Sequence, residues 1–317
     1  MEHTQLTYLI FGIVIVLALI FDLGLLSKKN EQISIRKALF QTCFWVGLSL
    51  LFFGFLWYGE GSVTAVSYLS AYLMEWSLSI DNIFVFILIL GFFKVKEENY
   101  ARVLLIGILM AIIFRAIFIT IGVALISQFE WILYIFGAFL IYTGYKMFTA
   151  KEDDTFNPEE NVAYRFMNKY MRVTAEEPKG RFVIRKDNKT YLTTLSIVVV
   201  MLAVTDIIFA LDSIPAVFAI SQQPLVVYTS NIFAVLGLRS LFFLLRGAVD
   251  KFAYLPQGIA IVLIFIGLKM LAEYFLKMYT IHMPVYVSLI VIVLCLGGSI
   301  LYSLYHQKKE LPEAEVK

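Results

Sequence analysis

Glu75-Trp-Ser-Leu-Ser-Ile-Asp81 and Asp206-Ile-Ile-Phe-Ala-Leu-Asp212 are two copies of one pattern, a pair of acids six residues apart in a largely apolar run. Each copy opens a matching series. Downstream of the first, Arg115 stands in the middle of an apolar stretch; downstream of the second, Arg239 does. Gly144-Tyr-Lys-Met-Phe148 then has its counterpart in Gly267-Leu-Lys-Met-Leu271. Thirty-one residues separate Arg115 from Lys146, and thirty separate Arg239 from Lys269. Matched positions in the same order mark an internal repeat. Each repeat holds three apolar stretches, and an odd number sends the second copy into the membrane from the opposite side. The expectation is two inverted three-helix repeats, the architecture of secondary transporters, with a substrate site near the midplane where the repeats meet.

The rest of the chain agrees with a membrane setting. Of its 317 residues 60% are hydrophobic and only 16% charged, with a mean hydropathy of +0.82. A soluble domain carries about 25% charged residues, so a soluble enzyme and a disordered chain are both excluded. A net charge of +2 gives no reason to expect nucleic acid. Nine stretches reach the roughly 20 residues a bilayer span needs: Leu6–Leu26, Arg36–Tyr58, Val66–Phe93, Ala101–Ser127, Phe129–Phe148, Leu192–Ile220, Leu225–Leu245, Gln257–Leu276 and Val285–Tyr305. The fold class is therefore all-α and polytopic, with nine transmembrane helices.

Basic residues set the orientation. Only Met-Glu-His-Thr-Gln precedes the first stretch, whereas Lys28, Lys29, Arg36 and Lys37 follow it. The positive-inside rule places that loop in the cytoplasm, the N-terminus outside and the C-terminus inside. Lys94, Lys96, Arg102, Arg246, Lys251, Lys308 and Lys309 then all fall inside, and Lys277 is left for an outer loop. The chain divides into two peripheral helices (1–60), repeat A (61–150), a cytoplasmic loop (151–191), repeat B (192–280), and a last helix with a tail (281–317). Within the loop, Val162–Val173 reads as an amphipathic helix on the inner membrane surface. Lys186-Asp-Asn188 reads as the turn of a small hairpin.

Charges inside a bilayer are costly, about 2.5–3.5 kcal/mol each even on lenient insertion scales, and mark functional sites. Asp22, Glu75, Asp81, Asp206, Asp212, Arg115 and Arg239 fall within apolar spans, with Lys146, Lys269 and Glu273 nearer helix ends. Snorkelling towards the headgroups accounts for Lys146 and Lys269 as well as function does. Arg115 and Arg239 are expected to form structural salt bridges with an acid of their own repeat. Six acids against four bases leave a net charge of about −2 if all are ionised. Either some acids hold protons or a cation neutralises them, and both describe a proton-coupled cation site.

The neighbouring polar groups are oxygen donors: Asn82, Thr205, Ser213, Thr229, Ser230 and Asn231. All-oxygen sets suit Mg, Ca or Mn rather than Zn or Cu. The expected site has Asp81 facing Asp212 across a midplane cavity, with Glu75, Asp206, Asn82 and Asn231 around it and Asp22 contributing. On a regular helix, residues six apart point about 240° apart. Both acids of one pair line one cavity only where the helix unwinds, and Pro215 supplies a reason for that in the second copy.

These residues resemble a known family. Glu75-Trp-Ser-Leu-Ser-Ile-Asp81-Asn82 and Asp206-Ile-Ile-Phe-Ala-Leu-Asp212-Ser213-Ile-Pro215 look like the two signature helices of the TerC family. Thr-Ser-Asn231-Ile-Phe-Ala-Val-Leu-Gly-Leu-Arg239 and Trp131-Ile-Leu-Tyr-Ile-Phe-Gly-Ala-Phe look like it too, and the branch that includes the bacterial Alx proteins is the most similar. The resemblance implies a place in the LysE-like transporter superfamily, a bacterial inner-membrane location, divalent metal export, chiefly of Mn2+, and an association with tellurium resistance. The metal is then a substrate, and no bound cofactor is expected. The partners are membrane lipid and the transported ion, and nothing in the sequence speaks to oligomeric state.

Two other readings fit less well. An enzyme would use the paired aspartates for acid–base work. The chain has no Gly-x-Gly-Asp, no Walker A pattern and no phosphorylated-aspartate motif, and Cys43 and Cys295 are too far apart in sequence to suggest a thiol relay. A membrane scaffold, or a redox or stress-resistance protein without transport, would leave the buried carboxylates unexplained.

Overall fold

The computed structural model describes residues 3–24, 34–129, 131–149, 173–174, 180–186, 189–246, 254–278 and 285–314. Nine helices make up almost all of the described residues. They are α1 (His3–Gly24), α2 (Ile35–Gly59), α3 (Ser62–Phe92), α4 (Glu97–Gln128), α5 (Ile132–Thr149), α6 (Thr194–Ile220), α7 (Pro224–Leu245), α8 (Leu255–Met278) and α9 (Val285–Ala314). Each coincides with one of the nine apolar stretches. Eight are long and apolar enough to cross a membrane, and α1 contributes a shorter apolar segment, Gln5–Phe21.

Local chemistry fixes several ends. Ser34 caps α2 by accepting from the Lys37 N–H. Pro224 starts α7, where its missing N–H is not needed. The helices are apolar on nearly every face, as elements surrounded by lipid and by other helices must be. Helix α7 is the innermost, buried along almost its whole length, and it packs on α2, α3 and α4. Outward faces carry exposed apolar residues such as Leu17 and Ile20 of α1, Leu51 of α2, and Leu301 and Tyr305 of α9. Lipid tails are as apolar as these side chains, so helix association depends on close packing more than on burial from water.

The closest packing joins α5 to α8. A Cβ on Gly267 would lie 2.6 Å from the Gly137 carbonyl oxygen and 2.8 Å from Ile141. A Cβ on Gly144 would lie 2.8 Å from the Ala260 carbonyl oxygen and 2.8 Å from Ile264. The two helices thus cross antiparallel, and only glycine lets their backbones approach this far. The contacts are reciprocal: Gly144 meets on α8 what Gly267 meets on α5, in matching sequence positions.

Three short strands follow α5: β1 (Val173–Thr174), β2 (Val183–Lys186) and β3 (Lys189–Thr193). β2 and β3 pair antiparallel, with Lys186 opposite Lys189, so the expected hairpin is present with a two-residue connection. β1 lies parallel to β3 on its other side. The amphipathic helix expected at 162–173 falls outside the described residues except at its last position, where Val173 is in a strand instead. The hairpin docks on the start of α4. The Arg102 guanidinium lies 4.8 Å from the Phe182 ring centroid and donates to the Gly180 carbonyl at 3.0 Å. Thr193 Oγ1 donates to the Arg181 carbonyl at 2.8 Å. At the same end Arg246, just past α7, pairs with Glu97 of α4 at 2.9 Å.

A second expectation is corrected here. Helix α6 runs unbroken from Thr194 to Ile220 through Pro215, and α3 is continuous past Glu75 and Asp81. Proline removes one backbone hydrogen bond, but packing against α3, α4, α5 and α8 keeps the helix whole. Asp206 and Asp212 therefore point in the different directions that a regular helix dictates.

Candidate functional site

Near the middle of α4, Arg115 enters the centre of the bundle with only 3% of its surface exposed. Helices α3, α6 and α7 surround it there. Its Nη1 donates to Glu75 Oε2 of α3 at 2.5 Å and to Asn231 Oδ1 of α7 at 3.1 Å. A longer contact of 3.4 Å reaches Ser213 Oγ of α6. The other edge of the guanidinium grips Asp206 of α6 as a fork, Nε to Oδ2 at 3.0 Å and Nη2 to Oδ1 at 3.1 Å. This two-pronged geometry is the strong form of the Arg–carboxylate bond. Glu75 and Asp206 are as buried as Arg115. The group brings together two carboxyl groups and one guanidinium, all near the midpoints of apolar helices.

Three buried polar atoms around this cluster have no hydrogen-bond partner among the described residues: Glu75 Oε1, Ser79 Oγ and Thr205 Oγ1. Ser79 lies one helical turn after Glu75, and Thr205 is adjacent to Asp206. Native interiors leave few such atoms unmatched. A crevice of about 10 Å³, room for one water, lies beside Arg115 and Asn231 and is lined further by Ala116, Ile119, Tyr228 and Ile232. A hydrogen bond of 2.6 Å between Thr120 and Tyr228 ties α4 to α7 along this side.

Asp212 belongs to a different place. It is half-buried on the α5 side of α6, where Thr143 Oγ1 donates to its Oδ1 at 3.2 Å. Asp206 faces α4 instead, so the two aspartates turn to different neighbouring helices. Among the seven expected oxygen ligands, the structure thus gathers Glu75, Asp206 and Asn231 around Arg115 and sets Asp212 apart. Asn82 is buried on α3. The side chains of Asp81 and Asp22 lie outside the described residues. Among the described residues no three His, Cys, Asp or Glu side chains converge as a metal-binding group.

The basic residues also separate. Arg115 pairs with Glu75 of its own three-helix unit, as expected, and also with Asp206 of the other. Helix α4 packs on α6, which brings the second acid within reach. Arg239 is buried on α7. Lys146 is exposed near the end of α5, in keeping with snorkelling. Lys269 does not snorkel: it is buried and donates to Ser288 Oγ of α9 at 3.1 Å. Thr229 and Ser230, counted among possible donors, bond back to the Leu225 and Val227 carbonyls of their own helix. Thr143, Ser288 and Ser79 were not singled out from the sequence. The one signal for Thr143 was a hydroxyl three residues before Lys146 on an otherwise apolar helix.

Comparison with known proteins follows the same lines. The Integral membrane protein TerC family matches residues 60–311, from the start of α3 into α9. A protein of Escherichia coli K12 described as a putative membrane-bound redox modulator, Alx, is 41% identical over 288 residues, covering 88% of each chain. A membrane protein of Rickettsia bellii is 39% identical over 286 residues, 90% of this chain and 93% of its own. A third, from Myxococcus xanthus, is 41% identical over 290 residues, 92% of this chain and 89% of its own. No solved structure matches. The matched region contains both acid pairs and both mid-helix arginines, and the apolar helices make this a multi-pass membrane protein: the chain belongs to the TerC family of integral membrane proteins.

Proposed function

We propose that this chain is a secondary transporter that exports hard divalent cations, Mn2+ foremost, in exchange for protons. The observation that carries the reading is the buried Glu75–Arg115–Asp206 cluster. It joins the two three-helix units at mid-helix, sets two carboxyl groups against one guanidinium, and leaves carboxyl and hydroxyl oxygens unmatched among the described residues. A packing role alone is served better by apolar residues of similar volume. The antiparallel, reciprocal crossing of α5 and α8 supports the inverted repeat, which such transporters use to alternate access between the two sides.

In this reading Asp206 and Asp212 are successive stations for the ion. Six residues of helix separate them by about 9 Å along α6, and a dication with metal–oxygen bonds of about 2–2.6 Å cannot touch both at once. Asn231, Asn82, Asp81 and Asp22 supply further oxygens along the way. The N-terminus lies outside and the hairpin end of the bundle faces the cytoplasm of a bacterial inner membrane. The redox role suggested by the description of the Alx relatives would draw on thiols, and here Cys43 on α2 and Cys295 on α9 are both unpaired thiols.

Carboxylates must be deprotonated to hold a metal, so loading releases protons. Purified protein in weakly buffered detergent should acidify the solution on addition of Mn2+, less so with Mg2+ or Ca2+. Binding without proton release, or binding preference for Zn2+ or Cu2+ with no response to Mn2+, contradicts this reading.

A further inference from the structure

We propose that Arg115 is a tethered cation that occupies Asp206 and Asn231 in place of the transported ion, and that it moves wholly onto Glu75 when the ion arrives. This rests on the reading that the chain carries a divalent cation, and it says how the site is kept closed when empty.

The geometry supplies each part. Both oxygens of Asp206 are engaged by the fork of the guanidinium, and Asn231 Oδ1 and Ser213 Oγ face Nη1. A carboxylate, an amide oxygen and a hydroxyl are the donors that a hard dication takes. Here they surround a side-chain cation instead. A dication cannot join them while the guanidinium stays, because two like charges a few ångströms apart in a buried site repel strongly. The arginine therefore has to leave for the ion to enter.

Glu75 provides the place to go. Its Oε2 already accepts from Nη1, while its Oε1, fully buried, has no partner among the described residues. A turn of the guanidinium about the existing Nη1–Oε2 contact brings a second N–H to Oε1. The fork on Asp206 is exchanged for a fork on Glu75 by a side-chain rotation, and the incoming dication takes over the pairing of Asp206. Asp206, Asn231 and Ser213 are then released together, beside the crevice between α4 and α7. Glu75 in this scheme is a positioning residue for Arg115 and not a ligand of the ion.

A double-mutant cycle separates those two roles. Glu75→Gln keeps the Arg115–Asp206 pair but weakens the alternative seat. Glu75→Gln with Arg115→Gln removes the competitor as well, and the cluster then has the net charge of the wild type. Mn2+ affinity of the purified proteins is measured by calorimetry, with thermal melting as the check on folding. The expected result is an increase in Kd of about tenfold or more for Glu75→Gln and a return to within about threefold of wild type for the double variant. A double variant that binds as weakly as Glu75→Gln makes Glu75 a direct ligand and overturns the proposal. Should the double variant not fold, Arg115→Lys decides: a lysine keeps the charge but cannot grip Asp206 as a fork, so Mn2+ should bind more tightly than to wild type, and unchanged or weaker binding overturns the proposal. Wild-type protein that binds no divalent cation would instead defeat the transport reading, and this one with it.

Discussion

Asp212→Asn and Asp81→Asn should each reduce Mn2+ flux in proteoliposomes to the level of protein-free vesicles, while the protein folds and inserts normally. Asparagine preserves the size of aspartate and removes the charge. A hard dication is held chiefly by ionised carboxylates, and an amide oxygen replaces one poorly. Among the described residues Asp212 takes one hydrogen bond, from Thr143, and it is half-exposed. Its neutralisation leaves no buried charge stranded, so the loss should be one of activity and not of structure. Lys146→Gln is the internal comparison. That side chain is exposed at a helix end, and its replacement should leave most of the flux in place. Flux retained by Asp212→Asn, at the same amount of reconstituted protein, would remove Asp212 from the path of the ion.

The largest effect on stability is expected from Arg115→Leu. Two fully buried carboxylates would lose their shared counter-ion. Breaking a buried ion pair by removing one partner costs about 3–5 kcal/mol, because the remaining charge is left uncompensated. Neutralising the acids too should recover most of the loss. The triple variant Arg115→Leu, Glu75→Gln, Asp206→Asn should approach wild-type stability, since no charge is then stranded. Equilibrium unfolding in mixed micelles of detergent and sodium dodecyl sulfate measures both. A single variant as stable as wild type would mean that the carboxylates are already neutral or matched by other groups.

Much of the fold can be read from the chain because a bilayer allows so few solutions. Backbone groups in lipid must be bonded within the segment, so an apolar run of span length has to be a helix. Each of the nine runs accordingly matches one of the nine helices, within four residues at either end except that α9 continues nine residues past Tyr305. The hairpin is legible for a different reason, a polar turn between two short apolar runs. The site is less legible, because sequence spacing says which helix an acid is on but not which neighbour it faces. The pairing of Arg115 with Asp206 depends on α4 packing against α6, a contact between units that no local pattern encodes. The separation of Asp212 from Asp206 follows from α6 staying helical through Pro215, where tertiary packing overrides the local tendency to break. Lys269 was open to a snorkelling role by its place near a helix end. Its burial against Ser288 depends on α9 covering α8.

The most direct test of exchange uses the wild-type protein in liposomes with equal Mn2+ on both sides and a pH step across the membrane. If protons and metal are exchanged, the step alone drives Mn2+ towards the acidic side, against its own developing gradient, and a protonophore abolishes the movement. Mn2+ that stays evenly distributed across the pH step, in vesicles shown to pass Mn2+ down a metal gradient, would contradict proton exchange.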